Sequence, residues 1–380
     1  MIRDVVIAGA GIGGLTLAIA LRRRGVRVAV LERSPEIRPV GAGLGLMPNG
    51  LTALSQLGLA PAMLAAGRII RQSAFMTPTG RMLGRAMDVE KLFDAPSVAL
   101  HRSRLHRVLL DAVGPEIIRT GNAVAAYEQR NGSVVVVCAN GDRIDTELLV
   151  GADGLHSAVR ARLVGDGDPA YAGYTSWRGV TPAGSVSAPP LVTETWGRGE
   201  RFGIVDIGFG EIYWFAVADA PAGGRDHDVR RELLARFGGW HQPIRAIIEA
   251  TPPERILRTD ILDRPPIDRW HDGRVVLLGD AAHPMTPNIG QGASQAIEDA
   301  IVLDRGLAGH ESLADALTAY EQRRVGRANG IVRASRQFGV MAQWRNPVAV
   351  ALRSTAWRLS ALAPASIMSG QARRLAEVEL

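Results

Sequence analysis

The sequence predicts an α/β fold: a nucleotide-binding domain with a parallel sheet, an inserted antiparallel β-sheet domain and a C-terminal helical segment. Three observations predict it. A glycine-rich turn, Gly9 to Gly14, separates an apolar strand from a helix near the start of the chain. Residues Tyr174 to Arg258 are β-rich and aromatic, with glycine-containing turns. A second apolar strand, followed by a carboxylate and a glycine-rich loop from Gly279 to Ala293, comes late in the chain. The two ends of the chain would therefore hold one nucleotide.

The first unit of the chain alternates strand, helix and strand. Asp4 to Ala8 reads as a strand, Leu15 to Arg24 as a helix and Arg27 to Leu31 as a second strand. A crossover of this kind is right-handed and makes the two strands parallel neighbours. The unit is typical of a Rossmann-like nucleotide-binding domain.

The turn in this unit carries the fingerprint Gly9-x-Gly11-x-x-Gly14. Gly9 permits the tight turn, Gly11 lets the backbone approach a pyrophosphate, and Gly14 lets the helix pack closely on the strand. The helix N-terminus then faces the negative charge of the phosphates. Glu32, which lies 18 positions after Gly14, is placed to accept hydrogen bonds from ribose hydroxyls. The pattern predicts a dinucleotide ligand.

The next segment mixes helices with short strands. Pro48 to Leu57 and Ser103 to Val113 read as helices, and short strand-like pieces lie between Ile70 and Ala99. Val134 to Cys138 and Arg143 to Val150 read as an antiparallel pair joined by an Asn-Gly turn. The single cysteine, Cys138, is predicted to lie in the core.

The inserted sheet and the C-terminal helices complete the chain. Thr193 to Trp196, Arg201 to Val205 and Glu211 to Val217 are predicted antiparallel strands. Alternation along the last of them places Tyr213 and Phe215 on one face and Trp214 on the other. The chain is helical after Ser312. A final amphipathic helix is predicted to begin at Pro347, with Arg353 and Arg358 on its polar face.

Composition excludes several classes of function. The net charge is +6, but the arginines are scattered and Lys91 is the only lysine, so the charge is expected to attract anionic cofactors or substrates rather than nucleic acid. One cysteine permits neither a disulfide framework nor a cysteine metal site, and no metal site is predicted. The uncharged run Val5 to Leu21 contains the glycine turn and reads as strand, turn and helix rather than a membrane span. A cytoplasmic location is expected.

A second motif, Gly151 to Arg160, follows the apolar strand Leu148 to Val150. Asp153 is suited to cap the helix that follows it. The motif resembles the Asp-Gly motif of the single-component FAD-dependent aromatic hydroxylases. The stretch from Gly279 to Ala293 is similar to the family's flavin-contacting loop, and Tyr174 to Gly179 is similar to its entry into the substrate sheet. The resemblance covers nearly the whole chain in the same order.

The resemblance implies FAD as the cofactor, with NADH or NADPH as a transient co-substrate. It also implies domain boundaries: an FAD-binding domain of residues 1–69, 98–171 and 272–338, a substrate-binding β-sheet domain of residues 70–97 and 172–271, and a C-terminal helical segment of residues 339–380. His283 is expected to be structural. The implied FAD contacts are Gly9, Gly11, Ile12, Gly13, Gly14, Glu32, Arg33, Gly43, Arg102, Val124, Asp153, Gly154, Asp280, Pro287, Gly290, Gln291, Gly292 and Ala293.

The implied reaction is the hydroxylation of an electron-rich aromatic or heteroaromatic small molecule. In the family, NAD(P)H reduces the flavin, O₂ converts it to a C4a-hydroperoxide, and the distal oxygen passes to a ring carbon. The cofactor carries this chemistry, so few catalytic side chains are needed. The partners expected are therefore an aromatic substrate and O₂.

Two catalytic residues are expected, Arg201 and Tyr213, because they resemble the substrate-facing pair of the FAD-dependent urate hydroxylases. Phe215, Pro287 and Asn288 are expected to bind the substrate. Urate hydroxylases tend to have an aspartate at the position of Asn288, whereas the alkylquinolone 3-monooxygenases share the asparagine. The sequence thus leaves quinolones, hydroxyaromatics and purine-like rings open, as well as a flavin-binding protein that only sequesters its ligand. It also leaves open the choice of NADH or NADPH and the oligomeric state.

Overall fold

The strands belong to two large and two small sheets. In the computed structural model, which describes residues 2–38 and 41–360, the strands are β1 (Asp4–Ala8), β2 (Arg27–Leu31), β3 (Gly43–Leu46), β4 (Gly67–Ile69), β5 (Gln72–Met76), β6 (Met87–Asp88), β7 (Val98–His101), β8 (Ile118–Arg119), β9 (Val124–Arg130), β10 (Ser133–Cys138), β11 (Arg143–Thr146), β12 (Leu148–Gly151), β13 (Ala170–Thr181), β14 (Val192–Trp196), β15 (Glu200–Asp206), β16 (Ile212–Ala218), β17 (Leu257–Asp263), β18 (His271–Asp272) and β19 (Val275–Leu277).

The helices cover the sheets and lead into the C-terminal segment. They are α1 (Ile12–Arg23), α2 (Pro48–Ser55), α3 (Ala60–Ala65), α4 (Val89–Phe93), α5 (Arg102–Val113), α6 (Ala158–Val164), α7 (Val229–Phe237), α8 (Ile244–Ala250), α9 (Gly292–Gly309), α10 (Leu313–Ala342) and α11 (Pro347–Ser360). Short 3₁₀ turns lie at Pro115–Ile117, Pro253–Arg255, Gly279–Ala281 and Pro287–Ile289.

The nucleotide-binding sheet has the strand order β18-β19-β12-β1-β2-β8. Its central strand β1 pairs in parallel with β2 and β12, as the crossover unit predicts. The predicted continuous strand Arg143 to Val150 is wrong. Residues Arg143–Thr146 pair with β10 in a three-stranded sheet, and Leu148–Gly151 pair with β1 instead. The all-apolar run Leu148 to Val150 is buried between neighbouring strands, whereas Arg143–Thr146 is an amphipathic edge strand.

The inserted sheet has the order β17-β13-β16-β15-β14-β5-β6. All of its pairs are antiparallel except β14 with β5, which is parallel. One face packs against α7 and α8 through buried aromatic side chains, including Trp177, Phe202 and Trp214. Tyr213 and Phe215 lie on the opposite face, as strand alternation predicts, and that face borders a cavity. The alternation therefore separates a structural face from a functional one.

The C-terminal segment is attached to the inserted sheet. Helix α10 passes through the predicted boundary at residue 339 without a break, and residues 361–380 of the predicted helical segment lie outside the described residues. The prediction that Arg353 lies on a polar face is wrong, because its side chain is buried and donates to the carbonyls of Gly197, Met341 and Ala342. Three carbonyl acceptors make that burial tolerable for a cation.

The described helices lack the features of a membrane span. Over residues 2–38 and 41–360, none combines the length and the hydropathy that a bilayer crossing needs. The same residues contain no group of three or more histidine, cysteine or acidic side chains positioned to bind a metal ion.

Candidate active site

The three fingerprint glycines occupy the positions that their predicted tasks require. Gly9 has a φ of +106°, and a Cβ there would lie 2.4 Å from the carbonyl oxygen of Ala152. A Cβ on Gly14 would lie 2.2 Å from the carbonyl oxygen of Gly9, so helix and strand pack too closely for a side chain. A Cβ on Gly11 would meet nothing within 4 Å. Gly11 therefore borders open space, as close approach of a ligand requires.

Two cavities meet at this turn. They measure about 670 Å³ and about 530 Å³, and both are bordered by Gly11, Arg102, Ala152 and Gly154. The larger one is lined by the predicted cofactor residues Gly9, Gly11, Glu32, Arg33, Arg102, Val124, Asp153 and Gly154. The smaller one is lined by Gly11, Ile12, Gly13, Gly14, Gly43, Arg102, Gly154, Asp280, Pro287, Gly290, Gly292 and Ala293, together with Arg201, Tyr213, Phe215 and Asn288. An elongated ligand spanning both cavities would touch all of them.

The structure does not bring the side chain of Gln291 to either cavity. Gln291 is buried, and its amide oxygen accepts from Asn49 at 2.9 Å and from Gln295 at 3.1 Å. Asn49 also donates to Glu298, which pairs with Arg324. This buried network fixes the start of α9 from behind, and sequence reasoning missed it because its members lie far apart in the chain.

The carboxylates of Glu32 and Asp153 are bound to the backbone. Glu32 accepts from the amides of Ala10 at 3.0 Å and Ser34 at 2.9 Å, which holds the fingerprint turn against β2. Asp153 accepts from the amide of Ala158 at 2.9 Å and from the hydroxyl of Ser157, so it binds the start of α6, whose N-cap is Ser157 rather than the predicted Asp153. Burial raises the pKa of Asp153, and these hydrogen bonds oppose that rise.

The late glycine loop places Asp280 at the cavity, and a second carboxylate, Asp299 of α9, lies beneath the loop. Asp280 faces the cavity, and desolvation by the surrounding protein raises its pKa. Nε2 of His283 lies 2.5 Å from Oδ2 of Asp299 in the core. Burial alone would raise the pKa of Asp299, but the charges of His283 and Arg324 lower it to about 2. His283 therefore anchors the loop from below, the position expected of a structural residue.

Arg160 supports the same loop and was not among the predicted site residues. Its side chain is fully buried and donates to the carbonyls of Ala281 at 3.2 Å and Ala282 at 2.8 Å. It also pairs with Asp166 at 2.5 Å. The only sequence signal was its place at the end of the Asp153 motif, after the capping serine.

The inserted sheet forms one wall of the smaller cavity, and the Arg201 side chain in that wall is fully hydrogen-bonded to other protein groups. Its exposed fraction is 2%, and it donates to Gln343 at 3.0 Å, Glu194 at 3.2 Å and Asn288 at 2.9 Å. Tyr213 lines the same cavity, four residues along β16 from Val217, the partner of Arg201, and its hydroxyl makes no hydrogen bond within the described part of the chain. Burial raises the pKa of Tyr213, so its hydroxyl stays protonated and able to donate.

The cavities fit the cofactor that the resemblance implies. Helix α1 begins at Ile12, after the N-cap Gly11, and α9 begins at Gly292, after the N-cap Gln291. Neither start has a side-chain cap, so backbone N–H groups are available to anionic groups. Gly11 leaves the space that a pyrophosphate needs. These features fit a dinucleotide whose pyrophosphate would lie near Gly11, where the two cavities meet, and whose electron-accepting ring would lie near the start of α9.

Comparisons with known proteins agree with this geometry. A family model described as "FAD binding domain" matches residues 3–335. The chain is 47% identical over 359 residues to aurachin C monooxygenase/isomerase from Stigmatella aurantiaca, covering 93% of this chain and 94% of that protein. It is 34% identical over 368 residues to 2-heptyl-3-hydroxy-4(1H)-quinolone synthase from Pseudomonas aeruginosa, covering 93% and 94%.

The fold also matches a solved structure closely. Klebsiella pneumoniae HpxO, crystallised with FAD and uric acid, aligns with a TM-score of 0.91 and 30% identity, covering 98% of this chain and 96% of that one. The family match, the two relatives and the solved structure span nearly the whole chain. The protein therefore belongs to the FAD-binding-domain family of flavin-dependent aromatic hydroxylases.

Proposed function

We propose that this FAD-dependent monooxygenase hydroxylates a 4(1H)-quinolone ring that bears an apolar substituent. NADH or NADPH supplies the electrons and O₂ supplies the oxygen atom. FAD, when bound, supplies the oxygen activation, and the protein binds the ring, orients it and excludes water. The observation that carries the proposal is the division of the smaller cavity into a polar and an apolar end.

The polar end of that cavity suits the heteroaromatic ring. Arg178 and Arg201 lie there, on the strands that flank Phe215, and their side chains share its sheet face. Tyr213 pairs with Val205 and stands at the border with the apolar end. Hydrogen-bonding groups at this end would hold a ring oxygen, and Phe215 would stack on the ring.

The apolar end suits a hydrocarbon substituent. Ile70, Val192 and Val205 line it, and Val205 belongs to a small apolar cluster with Ile207. Each methylene buried there contributes about 0.8 kcal/mol. The similarity to a protein named for a 2-heptyl quinolone supports the same assignment.

Asn288 argues against a purine substrate. Its amide nitrogen lies 2.9 Å from the carbonyl oxygen of Ser335, which can only accept a hydrogen bond. An aspartate, which urate hydroxylases tend to have here, would place two acceptors in contact. The surroundings of residue 288 are therefore built for asparagine.

We further propose that FAD extends across both cavities. Glu32, Arg33 and Val124 would border the adenosine part, and Gly11 and Arg102 the pyrophosphate. Asp280 and the start of α9 would border the flavin. The supporting observation is that these residues line two cavities that meet at Gly11.

Product analysis tests the function. The purified flavoprotein is incubated with NADH or NADPH and, separately, with 2-heptyl-4(1H)-quinolone, 2-methyl-4(1H)-quinolone, urate and 4-hydroxybenzoate. We expect a heptylquinolone product that has gained one oxygen atom per NAD(P)H consumed, and a lower kcat/KM for the methyl compound. Hydroxylation of urate alone, or peroxide as the only product, would overturn the proposal.

A further inference from the structure

Three arginines line the smaller cavity, and they differ in how far their charges are already satisfied. Arg102 stands at the junction with the larger cavity, beside the fingerprint turn. Arg201 and Arg178 both project from the inserted sheet toward the substrate end. Arg201 and Arg178 differ in their capacity to bind a charged group of the substrate.

The Arg201 guanidinium has little capacity left to bind a substrate. Its Nε, Nη1 and Nη2 atoms each donate to a different side chain, and Glu194 neutralises its charge. With an exposed fraction of 2%, it is enclosed by these partners. A substrate anion would have to displace one of them and leave that buried group unpaired, which is costly. Arg201 is thus part of the wall.

Arg178 has the opposite character. It is half-buried, lines the cavity and forms no ion pair with the acidic residues of the described chain. Among the described residues, the one hydrogen bond of its side chain runs from Nε to the Ser176 hydroxyl at 3.4 Å, which is long. Both terminal nitrogens of its guanidinium therefore remain available for a planar, two-point interaction with an oxygen ligand.

The strand register places Arg178 and Tyr213 side by side. Arg178 pairs with Phe215, and Val180 pairs with Tyr213, so Arg178 and Tyr213 are diagonal neighbours on one face, roughly 7–8 Å apart at the backbone. Long side chains reach each other across that distance. The charge of Arg178 also acts on the Tyr213 hydroxyl, lowering its pKa against the larger effect of burial. The two side chains therefore share one part of the cavity.

The Phe215 ring does not cover Arg178 and Tyr213, because it leans toward Gly203 of β15. A Cβ on Gly203, the β15 partner of Phe215, would lie 2.1 Å from Cε1 of the Phe215 ring. The ring thus occupies the space that a side chain at position 203 would fill. Arg178, on the other flank of Phe215, keeps its access to the cavity.

We propose that Arg178 determines substrate specificity by binding, as an oxyanion, the oxygen atom attached to the aromatic ring of the substrate. The Tyr213 hydroxyl donates a second hydrogen bond to that oxygen. This inference rests on the proposed function and narrows it. The substrates are heteroaromatic or phenolic rings that release the proton of the ring nitrogen or of the phenol oxygen to solvent on binding, so that the bound form is the electron-rich conjugate base. Arg178, rather than Arg201, is thus the arginine that contacts the substrate. Arg201 holds the side chains of the cavity wall in place.

Binding measurements test the inference separately from turnover. The dissociation constant is measured from the absorbance change of the bound flavin for 2-heptyl-4(1H)-quinolone, its 1-methyl derivative and 4-hydroxybenzoate. The 1-methyl compound cannot form the ring anion. The proteins are the wild type, Arg178→Gln, Arg178→Lys and the control Arg231→Gln, which removes the charge of an exposed arginine on α7 of the same inserted domain.

We expect Arg178→Gln to weaken quinolone binding by roughly ten- to a hundred-fold, the worth of a charge-assisted hydrogen bond. The loss of affinity should be much smaller for the 1-methyl derivative. The quinolone affinity of Arg178→Lys should lie between those of the wild type and Arg178→Gln. Arg231→Gln should bind like the wild type. Flavin content and thermal unfolding show whether each variant is folded, and the sparse contacts of Arg178 favour that.

Three results would overturn the inference: unchanged quinolone binding by Arg178→Gln, equal losses for the quinolone and its 1-methyl derivative, or no binding of any probe to the wild type. If the wild type binds but does not hydroxylate the quinolone, the proposed function fails. The comparison of the quinolone with its 1-methyl derivative then still decides the role of Arg178, because binding is measured without turnover.

Discussion

Replacing Gly339 by alanine tests whether the amide of Asn288 holds Arg201 in place. Gly339 is buried in α10. A Cβ there would lie 2.3 Å from Nδ2 of Asn288 and 3.0 Å from the Tyr174 hydroxyl oxygen, where ordinary contact begins at 3.4 Å. The amide would have to retreat by roughly 1 Å. It cannot do so freely, because it donates to Thr286, Ser335 and Tyr174 and accepts from Arg201.

The expected magnitudes follow from these contacts. Overpacking costs about 1–3 kcal/mol, and alanine in a helix interior returns about 1 kcal/mol relative to glycine. The net loss of stability is therefore up to about 2 kcal/mol. At roughly 2.1 cal/mol/K per residue, the melting temperature of a chain of this length falls by about 1 °C per kcal/mol. Activity should suffer more, since a displacement of about 1 Å at a positioned group costs roughly 100-fold in kcat/KM.

The same helix offers a matched control. Gly330 is exposed, and a Cβ there would meet nothing within 4 Å. Gly330→Ala should raise stability by up to about 1 kcal/mol through helix propensity alone and leave turnover unchanged. The assay compares product formed with NAD(P)H consumed, alongside thermal unfolding and flavin content, for both variants.

The proposed role of Asn288 in holding Arg201 is refuted if Gly339→Ala matches Gly330→Ala in kcat/KM and in the ratio of product to NAD(P)H consumed. It also fails if both variants lose activity equally, because the loss would then come from the helix rather than from Asn288. A selective loss in Gly339→Ala, with flavin content retained, is the result that the contacts of Asn288 require.

Three further substitutions have defined outcomes. Arg160→Gln breaks a buried ion pair and removes the donor to two loop carbonyls, so we expect a stability loss of about 3 kcal/mol and release of FAD on gel filtration; full FAD retention would contradict its role in supporting the loop. Tyr213→Phe should lower kcat/KM roughly ten-fold. Because burial raises the pKa of Tyr213, the hydroxyl is protonated below about pH 10, so a loss that differs between pH 6 and pH 9 would refute this account. Asp299 has a folded-state pKa of about 2, below its ordinary 3.8, so its ionised form stabilises the fold above about pH 4 and that contribution disappears as the pH falls toward 2. Asp299→Asn should therefore flatten the fall in unfolding free energy between pH 4 and pH 2, and an unchanged slope in chemical denaturation would argue against it.

The sequence determined those features that depend on local geometry. The tasks of Gly9, Gly11 and Gly14 follow from backbone sterics within one turn, and the structure places each glycine as its task requires. Alternation along β16 set the faces of Tyr213 and Phe215 because side chains in a strand point to opposite sides. The order of the motifs identified the cofactor through the family resemblance, and the family match agrees with it.

Tertiary structure decided which of these side chains are free to act. Arg201 is satisfied by Gln343, 142 positions away, and by Asn288, 87 positions away, whereas Arg178 forms no ion pair with a described acidic residue. Arg353 was misjudged for the same reason, since the carbonyls that accept from its side chain belong to other elements. Periodicity along one strand or helix shows the direction in which a side chain points. Whether its charge is already neutralised depends on residues that only folding brings near.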